Sequence, residues 1–116
     1  MRRDDDLIRS LLFEFEQQED WSLLFVKTLS MDAIDRNRLG HIHLMCDAGL
    51  VAPVNNDAYR LTNTGHDYLA AIRSDTVWQR TKNGAAKVGG LTLGMMKDLA
   101  VAYVKQEANN RLGIQL

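Results

Sequence analysis

One cysteine and one proline are all that 116 residues contain of either, and each scarcity excludes something. The lone Cys46 cannot build a disulfide framework or a zinc finger, and it fits a reducing cytoplasm. The lone Pro53 leaves the chain free to be mostly helical with one interruption. Long apolar runs are also missing, since none approaches the roughly 20 residues needed to span a bilayer. The start, Met1-Arg2-Arg3-Asp4-Asp5-Asp6, turns acidic where a signal peptide would turn apolar. Nor is there a surplus of either charge: fourteen Lys+Arg face fifteen Asp+Glu, a net −1. That excludes a strongly basic, histone-like binder and an acidic DNA mimic. What is there, 46% hydrophobic and 25% charged residues, describes one globular domain over 1–116 with a core of its own. The expected location is the cytoplasm, with no membrane partner.

Charge is spread unevenly. Residues 1–20 hold three Arg and seven acids, net −4, whereas residues 61–90 hold four basic groups and two acids, net +2. Asp4 to Asp6 precede the apolar positions Ile8, Leu11, Leu12 and Phe15, which follow helical spacing. Trp21 to Val26 reads as a short buried strand in which Trp21 and Phe25 need cover. Asp32 is a good N-cap for a second helix running to Ala48, with Leu39, Ile42 and Cys46 on one stripe and Gly49 as its stop. Leu50 to Val54 and Ala58 to Leu61 flank Asn55-Asn56-Asp57, the composition of a β-hairpin. Thr62 caps a third helix expected to run, with a bend, to about Lys82. The breakers Asn83-Gly84 and Gly89-Gly90 predict a loop over 83–91, leading to a C-terminal helix over 92–111 capped by Thr92. The fold class expected is mainly α with a small β-hairpin (α+β).

A helix ending in Ala48-Gly49-Leu50-Val51, a hairpin, then Leu61-Thr62 with Gly65 opening another helix looks like a winged helix-turn-helix, here with an additional C-terminal helix. The resemblance narrows on Arg3-Asp4 with Leu7-Ile8-Arg9, on His41 through Leu50, and on Gly65-His66-Asp67-Tyr68-Leu69 with Ala71-Ile72-Arg73 and Trp78. These runs are similar to an uncharacterised bacterial and phage family, domain of unknown function family 2513. The resemblance implies architecture, with the helix before the hairpin as recognition helix and the hairpin as wing. It also implies a phage or mobile-element setting, and no mechanism.

Chemistry-bearing residues are few. His41 and His43 stand two apart, so on a helix they point about 200° apart and cannot share one ion. No metal or other cofactor is expected. His66 beside Asp67 suggests a general base, but adjacent helix positions do not face each other. The plainer reading of His66 is a buried residue bonded to backbone near the hairpin. Cys46 lies on an apolar stripe where a thiol stays protonated, no serine sits on a strained elbow, and no phosphate-loop ending follows the glycines. An enzyme is therefore not expected.

The strongest functional feature is the set Arg36, Asn37, Arg38, His41 and His43 on the second helix. A helix in the major groove needs donors in its N-terminal half for base edges and phosphates, and Asn37 supplies an amide suited to adenine. Arg60 on the hairpin, with Arg80 and Lys82 further on, could add phosphate contacts through counterion release. Asp32, Asp35 and Asp47 flank the set and oppose phosphate, and the wing tip has no cation. Two functions follow as expectations. One is a small DNA-binding regulator of transcription acting on double-stranded DNA, with a homodimer as its natural form. The other is a protein-binding adaptor on the same scaffold, such as a phage-encoded inhibitor of a host defence or transcription complex.

Overall fold

Asp4 opens the first helix, α1 (Asp5–Glu16), its carboxylate accepting the Leu7 N–H at 3.1 Å. Asp5 and Asp6 fill the first turn, where the positive end of the helix dipole favours them. Ile8, Leu11, Leu12 and Phe15 form its buried face, as their spacing predicts. A computed structural model describes residues 1–116. After α1 come β1 (Ser22–Leu24), α2 (Ala33–Asp47), β2 (Val51–Pro53), β3 (Ala58–Leu61), α3 (Asn63–Ile72), α4 (Asp75–Lys87) and α5 (Leu93–Leu112). The architecture is mainly helical with one small antiparallel sheet of strand order β1-β3-β2. Its residues gather into two compact units, Met1–His66 and Asp67–Leu116.

In the N-terminal unit, β3 is the central strand. Leu23 pairs with Tyr59 on one side of it, and Pro53 on the other. Pro53 is tolerated because β2 is an edge strand. Asn55 folds the hairpin tip by accepting the Asp57 N–H at 2.8 Å, an Asx turn as its sequence suggests. The strand expected over Trp21–Val26 is shorter than six residues, and Trp21 does not find cover: it lies in a bend and is 66% exposed. The reason is that pairing with β3 spans only Ser22 to Leu24.

Gly65 explains how the unit closes. A Cβ there would run into the Leu50 carbonyl oxygen, with the carbonyl carbon at 3.0 Å and Leu61 Cδ2 at 3.1 Å. Thr62 holds the same junction, its hydroxyl donating to the Gly49 carbonyl and accepting the Gly65 N–H. Only glycine lets the first turn of α3 lie on the backbone that ends α2.

In the C-terminal unit the helix expected to bend and run to Lys82 is two helices, because Ser74 caps a new one by accepting the Val77 N–H. That helix, α4, then passes through the expected break. The loop predicted over 83–91 is helical as far as Lys87, leaving 88–92 as the connection. Gly84 serves packing and not chain reversal: a Cβ there would meet the Tyr103 hydroxyl at 2.8 Å and Leu99 Cδ2 at 3.0 Å, both on α5. The true reversal is at Gly89 and Gly90, whose φ values of 80° and 112° suit glycine. Helix α5 begins after Thr92 as its cap chemistry predicts.

Candidate nucleic-acid interface

Helix α2 carries five of the predicted residues, and the structure divides them. Asp32 caps it by accepting the Asp35 N–H at 2.8 Å, and Gly49, at φ 76°, ends it. Leu39, Ile42 and Met45 face the core. Arg36, Asn37 and His43 are exposed on the other side. Arg36 stands with its guanidinium in solvent, and His43 meets the Tyr59 ring edge-on at 6.2 Å between centroids. Gly40 lies between them, with the Met1 side chain seated above it.

Two of the five belong to the scaffold instead. Arg38 bonds Glu14 of α1 at 2.6 Å and lies 5.8 Å over the Phe25 ring. Its charge is spent on tying α1 to α2. His41 is buried completely, so it is withdrawn from the DNA-facing set. Its Nε2 accepts the Asp4 backbone N–H at 2.8 Å, and its Nδ1 lies 2.8 Å from the Asn37 carbonyl. An acceptor at Nε2 requires the proton on Nδ1, which donates to Asn37. His41 is thus a neutral clamp joining the start of α1 to the middle of α2.

Arg60, on β3, is exposed with one Nη1 contact to the Leu61 carbonyl at 3.3 Å. It borders a depression of about 360 Å³ with Phe15, Gln18, Trp21 and His66, and with the acids Glu16 and Asp20. His66 is exposed here and not buried as its sequence context suggests, because α3 turns that position outward in its first turn. No sequence signal marked this depression, since its residues come from two distant stretches, 15–21 and 60–66.

Arg80 and Lys82 lie in the C-terminal unit on α4. Arg80 sits 4.3 Å over the Tyr103 ring and donates to Gln106 at 3.3 Å, and Lys82 lies 5.4 Å over Trp78. Arg80 is thus used first in packing α4 on α5, and Lys82 lies along its own helix. Cys46 is half-buried, and burial, then the nearby Asp47 carboxylate, push its thiol above the ordinary range. At neutral pH it is a protonated packing residue. Tyr59 is likewise raised, by burial first, then by Cys46 and Asp57.

The face that remains offers hydrogen-bond donors. Arg36 and Asn37 offer a planar cationic fork and an amide from consecutive positions of one helix turn, while Ala33 and Gly40 leave the neighbouring surface shallow. Such donors recognise acceptors at base edges and phosphates. Asp35 and Asp47 on the same helix set a limit on how much phosphate it tolerates.

Among known proteins, the profile of the family described as "Hypothetical protein (DUF2513)" matches residues 2–92. An uncharacterised protein of Haemophilus influenzae is 32% identical over 117 aligned positions, covering 91% of this chain and 98% of that protein. No solved structure matches. No helix of the chain is long and apolar enough to cross a membrane.

Proposed function

This chain belongs to the DUF2513 family, and we propose that its N-terminal unit is a winged-helix DNA-binding module of a small regulator. In this reading α2 is the recognition helix, β2 and β3 form the wing, and double-stranded DNA is the partner. The observation that carries it is the position of Arg36 and Asn37. Both are exposed in the N-terminal half of the one helix that leads directly into the hairpin. The pairing of β1 with β3 suits the same reading, because it adds a third strand to the hairpin and anchors it beside α2. The match to a helix-turn-helix is looser, since residues 17–32 between α1 and α2 hold β1 and no further helix. Arg36 suits guanine bidentately, Asn37 suits adenine, and His43 and Arg60 supply further donors.

Fluorescence anisotropy on labelled duplex DNA at low salt tests this. Arg36→Ala is expected to weaken binding by ~1–3 kcal/mol and relax sequence preference if the contact is to a base. Arg38→Ala should instead cost at most about 1 kcal/mol of stability, because its ion pair is partly exposed and solvent-screened. A parent chain that binds no duplex overturns the proposal.

A specific observation also favours a protein-binding adaptor. Trp21, Leu24, Val26 and Leu29 are all exposed in the chain between α1 and α2, and Ile34 is exposed in the first turn of α2. Exposed apolar side chains that join into one patch mark protein contact surfaces.

A further inference from the structure

The outer edge of β1 is open. Strand β3 occupies one side of it, and the order β1-β3-β2 leaves the other side without a strand. The direction of the backbone groups can be worked out. Phe25 donates its N–H to the Asp57 carbonyl on the β3 side at 2.6 Å, and Leu23 pairs with Tyr59. In an antiparallel ladder alternate residues bond to the same neighbour. The N–H and C=O groups of Ser22 and Leu24 therefore point away from β3, toward solvent. Edge strands of this kind are templates for another strand unless charge or proline blunts them.

Here the flanking charges select the guest. Glu19 and Asp20 precede β1, Lys27 follows it, and all three are exposed with no ion pair in their own chain. We propose that β1 pairs antiparallel with β1 of a second copy, about a two-fold axis through Leu23. That register places Ser22 opposite Leu24 of the other copy, so the four outward backbone groups on each strand bond reciprocally. It sets Leu23 against Leu23 and brings Trp21, 66% exposed in the single chain, beside the other copy's Phe25. Antiparallel pairing also brings the acids Glu19 and Asp20, ahead of each β1, to the end of the pair where Lys27 of the other copy lies. The segment 19–27 thus contains both halves of a self-complementary edge: acid ahead of the strand, base behind it, apolar between. The result is one continuous six-stranded sheet and an isologous dimer. A different protein strand would also satisfy the backbone, but it would have to match the same acid-to-base order by coincidence.

The proposal does not depend on DNA binding, because association is read without DNA. Sedimentation equilibrium of the full chain from micromolar to submillimolar concentration should show a monomer–dimer equilibrium. Glu19→Lys and Lys27→Glu each turn two attractive contacts into two repulsive ones, so each should raise the dissociation constant roughly tenfold. Glu19→Lys combined with Lys27→Glu should return it toward the parent value. Trp21→Ala should also weaken the dimer, with circular dichroism unchanged because the side chain is outside the core. A monomer across the whole range overturns the proposal. So does a dimer that neither charge reversal alters, or one that the combined variant fails to restore.

Discussion

Two histidines separated by one residue have opposite fates, and a third group decides between them. His41 and His43 stand one position to either side of Ile42, so each is turned about 100° from the centre of the buried stripe. Helical spacing treats them alike. The Asp4 N–H, delivered by the start of α1, bonds His41 and draws it inside, while His43 stays exposed. A long-range partner of this kind leaves no local mark, which is why the sequence grouped His41 with the DNA-facing residues. The energetic consequence is asymmetric. His41→Ala should cost about 2–4 kcal/mol, from a cavity and an N–H without its acceptor. His43→Ala should cost under about 1 kcal/mol, since only an edge contact to Tyr59 is lost. Urea denaturation followed by circular dichroism separates the two, and equal costs would refute the clamp.

Among elements, those marked by local chemistry were legible and those created by packing were not. Asp32 and Thr92 each cap the helix that their residue type announces, the acids Asp4 to Asp6 stand at the start of α1 as its dipole favours, and Asn55-Asn56-Asp57 turns the hairpin. Gly84 reads identically to a helix breaker, yet it sits inside α4 because α5 needs the space. Glycines therefore have to be sorted by what a Cβ would meet. At Gly65 it would meet backbone that cannot move, so Gly65→Ala should destabilise by about 3 kcal/mol or more. At Gly40 it would meet only the far end of the Met1 side chain, which can swing away. Gly40→Ala should accordingly be neutral or stabilise by up to about 1 kcal/mol, through helix propensity. Guanidinium denaturation of both variants checks the contrast, and a destabilised Gly40→Ala would show Met1 to be fixed in place. For the candidate interface the same rule holds: the exposed half, Arg36 and Asn37, was readable from spacing, whereas Arg38 was diverted by Glu14 across two elements.

At the scale of the whole chain, the net −1 conceals two opposite halves. The N-terminal unit holds seven basic and eleven acidic residues, net −4, and the C-terminal unit seven and four, net +3. The proposed recognition helix is thus on the acidic unit. The unit's exposed cations are Arg2, Lys27, Arg36 and Arg60, and only Arg36 and Arg60 lie on the proposed helix and wing, with His43 as a third donor, since Arg38 is held by Glu14. Duplex binding releases counterions in proportion to phosphates neutralised, with a log–log slope of about −0.9 for each. The binding expected from this unit alone is weakly salt-dependent, with a slope of about −1 to −3, where a strongly basic repressor reaches about −10. Such a protein would depend on base contacts from Arg36 and Asn37 more than on the phosphate backbone, and would show little affinity for random sequence. Anisotropy titrations at a series of salt concentrations measure the slope directly. A slope of −6 or steeper would bring the cations of the C-terminal unit into the interface. Binding insensitive to salt would remove phosphate contact altogether and leave the exposed apolar stretch from Trp21 to Ile34 as the surface that recognises a partner.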